Sequence, residues 1–581
     1  MGATLRALRA LVLLTGFYLF GLILLGALAA VDWAATLWAP ASVYGKLYII
    51  TALLAIPVVR GMFLLRTPKN EDVAGLPVTE AREPRLWATV RTLAEQVGTR
   101  APDEIVLVGE TNAAVSEDSR FLGLVGGRRR LFLGLPLMAG LTEAQLRAVL
   151  AHELGHYSNA DTRLAAITVR GRFQVLRTVA HFEERAGRTA AKERARQEKK
   201  AAKALAKGKK AKEVDTWGAG VTYRTMARLY TGYAKLYVRA TESGSRRQEL
   251  AADLAAARIA GRDATASALR EIPVLDATHE FYMRSYATLG VGAGLLPPRG
   301  EVFGGIRHLL AARHEELDTM RRELPTETSS PYDSHPPIAE RVARIEALPD
   351  DGRASEPTLP SLGLLSSPED ALAALEQVVL TPEALTMQRA EWPQLVHESM
   401  AVYADRLAEP LREAMAAVAV PSAVAARPSL SASPSLSPSS SSSSSPSPSP
   451  SPSPSPSSTS PSSPSSASSS SSPSSSLSAL LDVIDGGALW EVADRLPKSE
   501  EARAATGRVA REFARPALRR GLSHLVTSDL IRRGRAHWQL SWTESARLRL
   551  PAGYEESLPA ALDAAVADVP DTAPLRKLLA S

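Results

Sequence analysis

A long run without charge near the N-terminus most constrains what this chain can fold into. Residues 10–31 contain no charged side chain, and about 20 apolar residues are enough for a helix to cross a bilayer. A second apolar stretch, residues 47–65, is interrupted by Pro57 and Arg60. We therefore expect residues 1–70 to form a transmembrane hairpin.

The charges around this hairpin predict its orientation. Positive residues flank its outer ends, whereas the connecting loop carries only Asp32 and Lys46. The positive-inside rule then predicts a multi-pass protein of the plasma membrane with both termini in the cytoplasm. A secretory signal peptide cut after residues 27–29 is the alternative. We disfavour it because a released protein would have to bury the second apolar stretch.

The segment from Leu141 to His156 predicts a metal-binding helix. Thr142 and Gln145 are spaced to form a capping box, and an apolar stripe follows at helical spacing. His152 and His156 are four residues apart, so both imidazoles project from one face. Such a pair suits zinc, which in a catalytic site needs a third protein ligand and an open position for water. Glu153 is the candidate general base beside them.

A second helical segment, residues 245–253, offers two carboxylates on one face. Glu249 can supply the third zinc ligand, and Asp253 can accept the outer N–H of a ligand histidine. Taken alone, the pair would be interpreted as exposed acidic residues. Together with the two-histidine motif we favour metal ligation, and no cysteine competes for that role.

A third segment, residues 332–341, places a histidine before two prolines that suit the start of a helix. His335 can donate to the oxyanion that forms when water attacks a peptide carbonyl, and Arg341 can support it or the substrate. A capping histidine and a surface arginine explain the same spacing equally well, so both interpretations stay open.

With these three motifs the chain resembles the integral-membrane zinc metallopeptidases that include HtpX and the CAAX prenyl endopeptidase. The resemblance covers residues 80–350, except for a departure between the first two motifs, where relatives carry a second membrane hairpin and this chain is polar and basic. It also implies an edge strand at Asn112 and Ala113 that lines the substrate groove. The resemblance implies that His152, His156 and Glu249 are zinc ligands and that Glu153 is the general base. It further implies that Asp253 supports a ligand histidine and that His335 and Arg341 are catalytic residues.

The function that follows is a membrane-tethered zinc-dependent endopeptidase with one Zn²⁺ per chain, a cytoplasmic catalytic domain and protein or peptide substrates. HtpX-like relatives suggest a role in membrane-protein quality control. The alternative is a non-catalytic membrane scaffold with a vestigial metal site. Glu153 argues against the scaffold, because a structural metal site has no use for a base.

The fold class that we expect is α+β and mostly helical, with a zincin-like metallopeptidase domain over residues 71–355. Its small sheet is predicted from three apolar runs, with a hairpin turn at Gly126 and Gly127 between the last two. A helix is predicted before them, over residues 77–98. The predicted strands are residues 105–108, 121–125 and 130–133.

A basic insertion, residues 185–213, interrupts this domain. Our first interpretation of the basic run 185–212 is a solvated linker, and the second is contact with anionic lipid headgroups next to the bilayer. No nucleic acid partner is expected, because the run contains no aromatic side chain for base stacking.

The last third of the chain is predicted from composition. Residues 356–420 are expected to be helical, residues 421–476 are almost all serine and proline and form a disordered linker, and residues 477–581 form a small C-terminal α+β module. Whether that module folds alone, or is half of a domain whose other half precedes the linker, stays open.

Overall fold

The structure is a computed structural model that describes residues 3–38, 40–63, 74–117, 127–157, 160–205, 220–324, 336–353, 359–425 and 476–580. The chain divides into two compact units. The first is Met1–Trp392 together with Trp542–Glu544, and the second is Pro393–Ser541 together with Ser545–Ser581. The mostly helical α+β fold class is confirmed.

The first unit contains the candidate site, and helices dominate it. Besides the helices and strands given next, this unit contains a π-helical turn at Met283–Ala287 and 3-10 turns at Leu289–Ala293 and Ser361–Leu364. In chain order its elements are α1 (Ala3–Trp38), α2 (Ala41–Phe63), β1 (Leu76–Val78), α3 (Pro84–Val97), β2 (Glu104–Val108), β3 (Ala113–Glu117), β4 (Arg129–Gly134), α4 (Leu135–Gly140), α5 (Glu143–Gly155), α6 (Ala160–Leu205), α7 (Val221–Ala260), α8 (Arg262–Tyr282), β5 (Leu295–Leu296), α9 (Glu301–Gly304), α10 (Ile306–Ala312), α11 (His314–Arg322), α12 (Ile338–Glu346), α13 (Pro368–Val379), α14 (Pro382–Leu385) and β6 (Gln388–Arg389).

A four-stranded sheet in the order β1-β2-β4-β3 lies beside α5. Strands β2 and β4 pair in parallel, while β1 and β3 add antiparallel at the two edges. The predicted strand at residues 121–125 and Gly126 of the predicted turn lie outside the described residues. The antiparallel partner of β4 among the described residues is β3, an assignment the sequence analysis did not make.

The helix predicted over residues 77–98 is shorter in the structure. Leu76–Val78 forms a strand, β1, because it pairs with β2 in the sheet. Helix α3 begins only at Pro84, a residue that suits the first position of a helix. Leu86, Val90 and Leu93 of α3 are fully buried, so the helix is present and packs against the core, and only its predicted start was wrong.

A separate helical bundle joins α1, α2, α6 and α7. Its buried cluster includes Phe17 of α1, Val58 of α2, Phe182 of α6 and Tyr230 of α7. These side chains are all fully buried. The polar helices α6 and α7 therefore pack directly on the apolar N-terminal pair.

Among the described residues, one helical segment is long and apolar enough to cross a membrane, Thr15–Trp38. The second predicted span lies in α2, which contains a shorter apolar helical segment among the described residues, Val43–Ile56. Fourteen residues of helix extend about 21 Å, which is less than the ~30 Å of hydrocarbon in a bilayer, whereas α2 as a whole has 23 residues.

The basic run is helical where the structure describes it, so the prediction of a linker there was wrong. Helix α6 continues to Leu205. Its alanines favour helix, and ion pairs one turn apart join oppositely charged residues along its surface. These pairs are Glu184 with Arg188, Arg194 with Glu198, and Glu193 with Arg196.

The second unit is built from helices on both sides of the serine- and proline-rich tract. Leu411 and Met415 from before the tract share one core with Leu480, Leu522 and other residues from after it. In chain order its elements are α15 (Trp392–Ala425), α16 (Ser476–Asp485), α17 (Leu489–Arg495), α18 (Glu500–Ala504), α19 (Gly507–Arg532), β7 (His537–Gln539), β8 (Arg547–Arg549), α20 (Tyr554–Ala565) and α21 (Ala573–Ala580).

The helices on either side extend into the predicted linker. Residues 421–425 belong to α15 and Ser476 begins α16, so the predicted bounds of 421 and 476 were too wide. The alanines around Pro421 favour helix and carry α15 past that proline. Residues 426–475 lie outside the described residues.

Candidate metal centre

Helix α5 begins where the local sequence predicts. The hydroxyl of Thr142 accepts a hydrogen bond from the Gln145 backbone N–H at 3.2 Å, and the Gln145 side chain accepts one from the Thr142 backbone N–H at 2.9 Å. This capping box satisfies two backbone donors that the helix itself cannot pair. The start of the helix is thereby fixed, and with it the direction in which His152 and His156 project.

Three side chains from two helices meet at the end of α5. His152 Nε2 and His156 Nε2 are 3.2 Å apart. Glu249 of α7 brings one carboxylate oxygen to 3.6 Å from His152 Nε2 and the other to 3.5 Å from His156 Nε2. Within the described residues this is the one group of three or more His, Cys, Asp or Glu side chains close enough to hold a metal ion.

These distances fit a tetrahedral zinc ion. Zinc bonds to imidazole nitrogen and carboxylate oxygen are about 2.0–2.1 Å long, so two ligands of one tetrahedral ion lie about 3.3–3.4 Å apart. The two nitrogens lie 3.2 Å apart, close to that value, and each faces a different oxygen of Glu249 at 3.5–3.6 Å. One ligand atom from each of the three residues lies within 4.8 Å of the others. Two nitrogens and one carboxylate are also a ligand set typical of catalytic zinc.

A buried ion pair stands behind His152. Asp253 Oδ1 lies 2.9 Å from His152 Nδ1, although the two are not aligned as a straight hydrogen bond. The guanidinium of Arg341 on α12 donates to both oxygens of Asp253, at 2.7 and 2.9 Å. Asp253 is 2% exposed and Arg341 7%. Arg341 thus reaches the centre through Asp253, a partner that the sequence analysis did not predict.

The surrounding charges decide the protonation of these groups. Burial lowers the pKa of His152, but its contacts with Asp253 and Glu249 outweigh burial and raise that pKa to about 9. Burial raises the pKa of Asp253, and the contacts with Arg341 and His152 reverse that effect and hold the pKa below its ordinary value. Asp253 is therefore a carboxylate at neutral pH, and a metal must displace a proton from His152 to bind.

The centre is accessible from one side. The side chains of His152 and Glu249 are only 10% and 8% exposed, whereas that of His156 is 26% exposed. Glu153, the next residue after His152, is half-buried. A ligand entering beside His156 can therefore approach the three ligand atoms while the opposite side stays closed by Asp253 and Arg341.

The end of α5 is tied to the edge strand β3. The hydroxyl of Tyr157 donates to the Val115 carbonyl at 2.7 Å, and the Tyr157 carbonyl accepts from the Thr99 hydroxyl at 2.9 Å. The guanidinium of Arg129 stacks over the Tyr157 ring. Tyr157 was missed in the sequence analysis, although an aromatic residue directly after the second histidine is the signal that could have found it.

The remaining predicted site residues lie in two places. Ala113 is the first residue of β3, and Asn112 precedes it with an exposed side chain. The Asn112 carbonyl accepts from the Gly134 N–H at 2.7 Å, which holds this segment against β4. His335 lies outside the described residues. Pro337 caps α12, so the predicted helix start after the two prolines agrees with the structure.

Two histidines and one glutamate on two helices form a ligand set that is found in the catalytic metal sites of hydrolytic enzymes. Residues 80–348 match the profile of peptidase family M48. This region is therefore similar to a family of proteases, and the resemblance drawn from the sequence is confirmed.

Two curated relatives resemble part of the chain. The "Protease HtpX homolog" of Acidovorax ebreus (strain TPSY) is 27% identical over 116 residues, and that of Polaromonas naphthalenivorans (strain CJ2) is 29% identical over 116 residues. Each alignment covers 19% of this chain and 34% of the relative. The match thus spans about a third of the length of each relative. No solved structure matches the chain significantly.

Proposed function

We propose that this chain is a membrane-tethered endopeptidase that uses one zinc ion. The observation that carries the proposal is the convergence of two imidazoles and one carboxylate, with a ligand atom from each within 4.8 Å of the others and the two nitrogens 3.2 Å apart. His152, His156 and Glu249 would hold the metal. Bound zinc supplies a Lewis acid for a water nucleophile and for the scissile carbonyl.

Glu153 is the proposed proton carrier. It adjoins His152 on α5 and takes a proton from the attacking water, then passes it to the amine nitrogen that leaves. Asp253 and Arg341 keep the His152 ring in one orientation, which preserves the ligand geometry between turnovers. His335 is the proposed donor to the oxyanion, and Arg341 supports it from the neighbouring helix.

The proposed substrates are proteins or peptides bound in extended form. An edge strand can accept such a segment as a further strand through its outer backbone groups. The edge strand β3 begins at Ala113, after the exposed Asn112, and Tyr157 ties it to the end of the metal-binding helix. Recognition through backbone groups would give broad sequence specificity.

The proposed location is the plasma membrane, with a multi-pass hairpin and a cytoplasmic catalytic domain. The apolar segment Thr15–Trp38 supports attachment. The basic run 185–212 would face anionic lipid headgroups, and clearance of damaged membrane proteins is the proposed role. A reporter fused after residue 75 tests the topology: signal from the cytoplasm is expected, and signal from the outer side would refute the orientation.

The catalytic proposal is tested with Glu153→Gln and a matched control on the same helix, Glu143→Gln. Glu143 lies in the first turn of α5, away from the histidines. Purified full-length protein is incubated with unfolded casein, with and without a chelator, and zinc is quantified in each variant. Glu153→Gln should retain zinc and lose activity by at least about 100-fold, while Glu143→Gln stays close to wild type. Full activity of Glu153→Gln would refute its role.

A further inference from the structure

The edge strand β3 alternates the direction of its backbone groups. The carbonyl of Asn112, the residue before β3, accepts from the Gly134 N–H at 2.7 Å and therefore faces β4. In an antiparallel pair, successive residues face the partner strand and the opposite side in turn. The backbone groups of Ala113 and Val115 thus face away from β4, the side on which a further strand would add.

Tyr157 is bound at one of these two positions. Its hydroxyl donates to the Val115 carbonyl at 2.7 Å, and an added strand would bring an amide nitrogen to about 2.9 Å from the same oxygen. The tyrosine hydroxyl therefore competes with a bound peptide for this acceptor. Ala113 lies two residues nearer the start of β3, a distance of about 7 Å.

The side chain of Tyr157 reaches β3 from the metal-binding helix. Tyr157 directly follows His156, which is the most exposed of the three candidate metal ligands. The tyrosine thus crosses from the end of α5 to β3 on the accessible side of the metal centre. A peptide that runs along β3 past the metal meets this side chain.

The ring of Tyr157 is held in place by Arg129. The guanidinium carbon of Arg129 lies 4.7 Å from the ring centroid, and Arg129 is only 6% exposed. The same guanidinium donates to the Thr99 hydroxyl at 3.0 Å and to the Glu117 carboxylate at 3.1 Å. Since the Thr99 hydroxyl in turn donates to the Tyr157 carbonyl at 2.9 Å, the ring and the backbone of Tyr157 are bound to one network.

We propose that Tyr157 sets how far a substrate can pair with β3. A bound peptide forms main-chain hydrogen bonds with Ala113, and at Val115 it either leaves the strand or displaces the tyrosine hydroxyl. Tyr157 is then a specificity-determining residue that limits the number of paired substrate residues on one side of the scissile bond. This inference rests on the proposed function, because it assumes that the substrate binds along β3 beside the metal.

A purely structural role for Tyr157 predicts the opposite sign. If Tyr157 only tied β3 to α5, removing its hydroxyl would loosen the strand and weaken peptide binding at every length. If the hydroxyl competes with the substrate, removing it strengthens the binding of peptides that are long enough to reach Val115. Tyr157→Phe separates the two roles, because it removes the hydroxyl and keeps the ring that stacks with Arg129.

The test measures the binding of peptide hydroxamates to the purified, zinc-loaded full chain. A hydroxamate binds zinc through both of its oxygens, so it fixes the register of the peptide attached to it. The peptides consist of alanine and threonine and grow one residue at a time, with the hydroxamate at the C-terminus in one series and at the N-terminus in the other. Wild-type affinity should rise with length in both series and reach a plateau early in one of them, where the peptide arrives at Val115.

Tyr157→Phe should gain affinity beyond the length at which wild type reaches its plateau. One additional main-chain hydrogen bond lowers Kd by about 2- to 12-fold, and the shortest hydroxamates should bind the variant as tightly as they bind wild type. Equal length dependence of the variant and wild type in both series would overturn the proposal. Weaker binding by the variant at every length would also overturn it, in favour of the structural role.

The matched control is Tyr282→Phe, which removes another tyrosine hydroxyl that donates to a backbone carbonyl, that of Glu301. Tyr282 lies outside the metal centre, so both series should show the wild-type length dependence; a later plateau in this variant would count against Tyr157. Binding requires no turnover, which separates the two proposals. Failure of every hydroxamate to bind wild type would refute the metal centre and this inference with it, whereas equal length dependence refutes this inference alone.

Discussion

Replacing Arg341 by methionine tests how the metal centre is held together. The substitution removes two hydrogen bonds, of 2.7 and 2.9 Å, from a carboxylate that is 2% exposed. Removing one partner of a buried pair costs about 3–5 kcal/mol, because the other charge is left without compensation. We expect the free energy of unfolding of Arg341→Met to fall by that amount.

The second expected effect is on zinc. Asp253 without Arg341 no longer has a fixed position against His152 Nδ1, and loss of such an outer contact typically weakens metal affinity by about 10- to 100-fold. Zinc affinity is measured by competition with a chelator of known affinity, and stability by urea unfolding. Arg341→Lys should be intermediate, since a lysine keeps the charge but cannot bind both carboxylate oxygens.

The matched control is Arg344→Met on the same helix. Arg344 is exposed and pairs with Glu340 at the surface, 3.2 Å away, a contact that contributes about 0–1 kcal/mol. Stability and zinc affinity should stay close to wild type. If Arg341→Met binds zinc within twofold of wild type while its stability falls, the pair is structural only and the inference that it orients His152 is refuted.

Three further predictions concern single residues. Glu249→Ala should lose bound zinc, which elemental analysis of the purified variant would reveal, and wild-type zinc content would remove Glu249 from the ligands. Gly134→Ala should lower the free energy of unfolding by about 1–3 kcal/mol, because a Cβ there would lie 1.9 Å from the Glu110 carbonyl oxygen; unchanged urea unfolding would contradict this. Burial lowers the pKa of His279, more than Asp276 raises it, so its contribution to stability is complete above its ordinary pKa of about 6.5 and is lost as the pH falls below that value. The drop in melting temperature between about pH 7.5 and 5.5 should therefore be smaller in His279→Gln than in wild type, and an equal drop would exclude His279 as its source.

The features that the sequence predicted well depend on neighbours along the chain. The capping box of Thr142 and Gln145 uses residues three apart, and the common face of His152 and His156 follows from one helical turn. Such a pattern can be recognised from the sequence because all of its residues lie within a few positions of one another. For the same reason the helix after the two prolines was placed correctly.

What the sequence could not supply depends on partners far along the chain. Arg341 meets Asp253 across 88 positions, and Leu76–Val78 is a strand only because β2 lies beside it. Neither segment carries a local pattern that specifies its partner. The prediction for the basic run was wrong for another reason. Its like charges suggested an open linker, whereas its alanines and paired glutamates stabilise the helix α6.

Helix α7 has a mechanical consequence. Tyr233, which binds the Leu13 carbonyl of the N-terminal hairpin, and Glu249 belong to one uninterrupted 40-residue helix. Their separation of sixteen positions spans about 24 Å, so a tilt of about 5° at Tyr233 would move Glu249 by about 2 Å, which is the length of a zinc–ligand bond. The helix acts as a lever, so under the proposed membrane attachment the thickness of the bilayer becomes an input to the chemistry proposed at its far end.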